Sequence, residues 1–129
     1  MKRSVTMVQL VLGAFYIMAG VYKIVGPGAT LRQSMPDFSL LTIHVIGIVE
    51  TLAALCLALP VMTGRFTAFV MWGAAIIAAE SFWFSFYHFQ RDAFFPALMA
   101  LVLAFCAAFV AWVRYKESKT QTKSQAPVL

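Results

Sequence analysis

Residues 40–62 read LLTIHVIGIVETLAALCLALPVM, and this stretch decides the fold. One acid, Glu50, and one histidine, His44, interrupt a run of apolar and small neutral residues. About 20 such residues in a helix cross the ~30 Å hydrocarbon core of a bilayer. A carboxylate at that depth costs ~2.5–3.5 kcal/mol on insertion scales, so Glu50 needs a partner or a task. Working outward, three further stretches of the same kind lie at 5–25, 66–86 and 93–113. The fold expected is all-α: a transmembrane four-helix bundle of up-down topology, occupying 1–114, with a polar basic tail at 115–129.

Composition agrees. Of the 129 residues 62% are hydrophobic and only 12% are charged, where a soluble domain averages about one-quarter charged. Mean hydropathy is +0.84. The net charge of +5 does not point to nucleic acid, because of where the cations sit. Lys2, Arg3, Arg65, Arg114, Lys116, Lys119 and Lys123 fall at the N-terminus, the second connection and the tail, which four spans place on one side. Lys23, Arg32 and Arg91 fall on the other. The positive-inside rule then makes both termini cytoplasmic in a protein that crosses the membrane four times. The basic tail reads as a topology signal and a lipid-headgroup contact. Lys2 and Arg3 before an apolar run also resemble a signal peptide. That run exceeds the usual ~7–15 residues of such a segment and lacks a small-x-small site, so a retained helix is expected.

The connections differ in length. Gly26 to Ser39, GPGATLRQSMPDFS, is the longest, and Gly26, Pro27 and Gly28 should stop the first helix there. Met62-Thr63-Gly64-Arg65 is a tight turn that makes the second and third spans antiparallel neighbours. His88 to Asp92 forms the third connection, and Pro96 sits where a helix start tolerates it. After Tyr115 the composition is too polar to bury a core and reads as disordered.

Helical spacing locates the interior. Gly13, Tyr16, Gly20 and Lys23 share a face of the first span. Ile43, Gly47, Glu50 and Ala54 share one in the second. Gly73, Ile76, Glu80, Trp83 and Tyr87 align in the third, and Ala100, Ala104, Ala107 and Ala111 form a small-residue seam in the fourth. Lys23, Glu50 and Glu80 are therefore expected to face inward together. One protonated and one ionised carboxyl make an acid/base pair, with Glu50 and Glu80 the catalytic candidates. Hydrogen-bonded helix cross-links and a snorkelling Lys23 are the plainer alternatives.

The outer end of the third span is dense in aromatics, Phe82 to Phe89, followed by Phe94 and Phe95. An interfacial belt and packing explain much of this. Rings beside a carboxylate also suit a quinone, a polyprenyl or sterol-like lipid, or a cation. Tyr16, Lys23, Glu50, Glu80, Trp83 and Tyr87 make up the candidate ligand site. His44 and His88 lack metal-ligand spacing, and no metal is expected. Cys56 and Cys106 lie on different spans without a C-x-x-C pattern and read as buried free thiols.

Two short elements carry a resemblance. Gly20-Val-Tyr-Lys23 closes the first span and Gly47-Ile-Val-Glu50 lies in the second, with a Gly64-Arg65 turn before the third. Their order and four-span layout, over roughly 8–113, resemble the DoxX-like family of small bacterial membrane proteins. The resemblance implies a four-helix inner-membrane protein associated with quinol oxidases, thiosulfate:quinone oxidation or detoxification complexes, with Lys23 and Glu50 at family-type positions. Glu80 and the aromatic cluster lie outside that pattern. No haem or flavin motif is present, so no cofactor beyond a quinone is suggested. An accessory subunit binding a quinone or lipid-like ligand for a membrane redox partner is the first expectation. A membrane-embedded isomerase or hydrolase and an assembly protein are the alternatives, and a homo-oligomer is compatible with each.

Overall fold

The computed structural model describes residues 2–64 and 67–124. Among them are five helices: α1 (Lys2–Val25), α2 (Gly28–Ser34), α3 (Leu40–Thr63), α4 (Thr67–Gln90) and α5 (Phe94–Ser124). The four long ones are each long and apolar enough to cross a membrane. Their outward faces are greasy. Met18 is 74% exposed, and Trp72, Phe82 and Phe105 are each at least 60% exposed. Soluble monomers rarely expose apolar surface on that scale, and such faces suit the hydrocarbon core of a bilayer.

Local signals set the helix ends. The Ser39 hydroxyl accepts from the Thr42 N–H at 3.1 Å and caps α3. At the other end Gly64 adopts φ 66° and returns its N–H to the Pro60 carbonyl at 2.9 Å, a left-handed cap that glycine takes without strain. Arg65, the last residue of the expected tight turn, lies outside the described residues. Gly26 ends α1 where a side chain cannot go: a Cβ there would stand 2.4 Å from the Tyr22 carbonyl.

The long helices pack in a ring in chain order. α1 lies along α3, α3 along α4 and α4 along α5, with α5 touching α1 more loosely. Residue pairings show the first two contacts running in opposite directions: Gly13 meets Ala54 and Ala58 while Gly20 meets Gly47 and Thr51. Gly73 meets Ala53 and Cys56, and Glu80 meets Glu50. The core between them is built from Leu12, Ala54, Leu57, Ala74, Ile77 and Val110.

Three expectations change. The 26–39 connection holds a short helix, α2, whose Leu31 is buried; with Gly28 at its start it follows the stop at Gly26–Pro27 rather than extending α1. The polar tail expected to be disordered is helical through Ser124. No breaker intervenes, Arg114 pairs with Glu117 at 2.8 Å, and Lys116 and Lys119 lie over Trp112 and Tyr115 one turn back. The tail's last residues, 125–129, are outside the described ones. Finally, the interior stripe of α4 is centred on Val70, Ala74, Ile77, Ser81 and Phe84; of the face expected, Gly73 is buried and Glu80 and Tyr87 are partly buried, whereas Ile76 and Trp83 are 44% and 47% exposed. The expected faces of the other helices do turn inward: Gly13, Tyr16 and Gly20 are buried, as are Ile43, Gly47, Glu50 and Ala54, and Ala104 and Ala107.

The α1–α3 crossing is the tightest test of this packing. A Cβ on Gly20 would lie 2.4 Å from Thr51 Oγ1 and 2.7 Å from the Gly47 carbonyl. Gly20→Ala is expected to cost about 1–3 kcal/mol through overpacking. Gly28→Ala, which meets only Leu40 side-chain atoms at 3.5 Å and beyond, should unfold like the wild type. Thermal unfolding of the purified proteins in one detergent measures both. Equal midpoints for Gly20→Ala and wild type would show that the helices do not approach this closely.

Candidate functional site

Gly20 and Gly47 remove the side chains that would hold α1 and α3 apart. A Cβ on Gly47 would stand 2.7 Å from both the Gly20 carbonyl and Lys23 Cβ. Each glycine precedes a charge by three residues, a rise of ~4.5 Å. Because the two helices run oppositely here, Lys23 and Glu50 lie on either side of the glycine contact. Helical side chains lean toward their own N-terminus, so Lys23 and Glu50 lean toward each other. Lys23 Nζ donates to Glu50 Oε1 at 2.7 Å and to Oε2 at 2.6 Å. The Glu50 side chain is 3% exposed and that of Lys23 15%. The Phe84 ring completes the cover, its centroid 5.7 Å from Nζ, a cation–π distance.

Glu80 comes from α4. Its carboxyl lies close enough to Glu50 and Lys23 to feel the charge of both. One of its oxygens, Oε2, is buried without a hydrogen-bond partner. Tyr16 reaches across from α1 to hydrogen-bond with Ser81 on α4, and its hydroxyl lies within electrostatic reach of both glutamates. Ser81 in turn donates back to the Ile77 carbonyl at 2.6 Å. Three helices thus place one cation, two carboxyls and a phenol in a single buried group. Such a group can hold a polar head of a ligand, pass a proton between carboxyls, or tie helices together.

The six candidate residues divide. Tyr16, Lys23, Glu50 and Glu80 assemble into this group. Trp83 and Tyr87 stack on each other instead, 6.0 Å between centroids, and hold Phe38 from the 26–39 connection at 5.5 and 5.3 Å. Phe84 touches both parts, packing 5.2 Å from Trp83. Asp37, next to Phe38, accepts from the Tyr87 hydroxyl at 2.8 Å and from Arg91 Nη1 at 2.6 Å. The 26–39 segment is therefore pinned at the end of the bundle where α3 starts and α4 ends. His44 and His88 take no part in a metal cluster; among the described residues no three His, Cys, Asp or Glu side chains gather. Cys56 and Cys106 are free and half-buried.

Sequence reading missed a second polar group at the opposite end. Gln9 is fully buried. Its Nε2 donates to the Leu57 carbonyl at 2.6 Å, and its Oε1 accepts from Arg114 Nε at 3.1 Å and Nη2 at 2.9 Å. Arg114 also donates to Thr6 Oγ1 at 3.1 Å. This clamp joins α1, α3 and α5. A lone amide amid QLVLG was the signal available; Arg114 was read only as part of a basic tail. Nothing in the sequence singled out Ser81 or Asp37.

No protein-family model, curated protein or solved structure matches the chain.

The Asp37 contacts are exposed, and an exposed ion pair is weak. Asp37→Asn should therefore loosen the 26–39 segment without unfolding the bundle. Hydrogen exchange should rise severalfold at amides of 28–38 and stay unchanged across α3 and α4. Unchanged exchange at 28–38 would show that Asp37 does not pin the segment.

Proposed function

We propose that this chain is a DoxX-like integral protein of the bacterial inner membrane. In this reading it crosses the membrane four times in up-down order with both termini in the cytoplasm. It serves as an accessory subunit of a membrane redox system, and the Lys23–Glu50–Glu80 group binds the head of a quinone or lipid-like ligand. One observation carries the reading: a bidentate lysine–glutamate pair with a second glutamate beside it, buried among apolar helices. Helix pairing alone does not call for a third ionisable group, since interhelical hydrogen bonds in membranes average only ~0.6 kcal/mol. The seven-to-three split of basic residues supports the orientation. The Gly20–Lys23 and Gly47–Glu50 elements support the family.

A second reading draws on the nearness of the Glu50 and Glu80 carboxyls. An acid beside a base is the arrangement of a general acid/base catalyst acting on a lipid-like substrate.

The ligand is sought directly. Protein purified in mild detergent is extracted and its small molecules identified by mass spectrometry, beside Glu50→Gln. A quinone or other apolar small molecule is expected with the wild type and depleted at least tenfold in the folded variant. The same molecules in both, at the same yield, would remove the ligand site; loss of a co-purifying protein from the variant would then favour an assembly role.

A further inference from the structure

A stripe on the outside of α5 changes character along its length. Phe105, Phe109, Trp112, Lys116 and Lys119 follow one another at steps of four and three, so they share one face of the helix. All five are exposed. The stripe runs from apolar rings, through a tryptophan of the kind found at membrane–water boundaries, to two cations. It depends on α5 crossing the bilayer and is independent of the Lys23–Glu50–Glu80 group.

Depth fixes what the two lysines meet. The apolar part of α5, 94–113, is about 30 Å long, the thickness of the hydrocarbon core. Lys116 and Lys119 leave the helix roughly 4.5 and 9 Å beyond Val113. Their ammonium groups do not continue outward. Lys116 Nζ lies over the Trp112 ring, 3.8 Å from its centroid, and Lys119 Nζ over that of Tyr115, 4.6 Å away. Each side chain is folded back by one turn, which returns both charges to the headgroup layer, about 5–7 Å deep.

Pairing separates these two cations from three others. Lys23, Arg91 and Arg114 each meet a carboxylate. Among the described residues Lys116 and Lys119 meet rings instead. Glu117, which lies between them in sequence, is taken by Arg114 at 2.8 Å, and Arg114 is itself turned inward to Gln9 and Thr6. A ring covers one side of an ammonium and leaves N–H donors for a further acceptor. Two uncompensated positive charges thus stand at the depth of lipid phosphates. We propose that this stripe binds an anionic phospholipid of the adjoining leaflet, its phosphate on Lys116 and Lys119 and an acyl chain along Trp112, Phe109 and Phe105. A zwitterionic lipid brings its own cation beside the phosphate and leaves the charge of the pair unanswered, so the site discriminates by headgroup charge.

Trp112 reports on its own site. Full-length protein that keeps it as sole tryptophan (Trp72→Phe with Trp83→Phe) is reconstituted in vesicles containing dibrominated phosphatidylglycerol or phosphatidylcholine, and quenching of the fluorescence gives the relative affinity. Phosphatidylglycerol is expected to bind at least about fivefold more tightly, roughly the contribution of one lysine at an anionic surface, and high salt should shrink the preference. Lys116→Gln combined with Lys119→Gln changes two exposed positions and should bring the two lipids to parity. A chain that keeps only Trp83, at the opposite end of the bundle, should show no preference. Parity at Trp112 with both lysines in place would overturn the proposal and leave the pair to an acidic protein segment. A preference that survives the lysine replacements, or one of equal size at Trp83, would overturn it too. No quenching by either lipid would remove the membrane crossing of α5 and this inference with it.

Discussion

The ion pair between Lys23 and Glu50 is the interaction on which the rest of the structure depends. Burying either charge alone is prohibitive, and together they are tolerable only with close geometry and added hydrogen bonds. Both are supplied by backbone contact. Gly20 and Gly47 let α1 and α3 touch, and the opposite run of the helices turns the two leaning side chains toward each other. The G-x-x-K and G-x-x-E elements are thus halves of one device: each glycine makes the room its charge needs, and neither element works without the other.

Around that pair the polar groups lie in three levels. Gln9, Arg114 and the Leu57 carbonyl tie the end of the bundle where α1 starts and α5 emerges. The Lys23 group occupies the middle. Asp37, Tyr87 and Arg91 pin the 26–39 segment over the far end. The two outer levels resemble ordinary ties, with their donors and acceptors matched. The middle level does not: it carries one carboxyl more than the lysine can neutralise, and an oxygen that nothing meets. That imbalance is what sets the middle level apart from the two ties, and it is the feature on which the proposed ligand site rests.

Much of this was legible in the sequence because a regular helix repeats faithfully. The stripe Ile43, Gly47, Glu50, Ala54 could be read from spacing, and so could the inward turn of Lys23. The stripe of α4 was misplaced in part because it was aligned on Glu80. That residue sits at the rim of the buried face, partly buried, and Ser81 beside it is fully buried. Spacing fixes which residues share a face but not where on the arc the interior is centred; contacts from both α3 and α5 decide that. The short α2 was hidden because seven residues show no period. The extension of α5 was hidden because hydropathy ends at Val113 while helix propensity does not. The Asp37 latch joins residues 50 and 54 positions apart, and no local pattern encodes such a closure.

The dependence on Lys23 and Glu50 is tested most directly by a double-mutant cycle read as unfolding free energy in mixed micelles. Lys23→Met strands a buried carboxylate and should cost about 3–5 kcal/mol. Lys23→Met combined with Glu50→Leu, which removes both charges, should recover most of that loss, giving a strong coupling between the two sites. Single variants that each unfold within a few tenths of a kcal/mol of the wild type, and a double variant equal to their sum, would contradict the pair's central place in the structure.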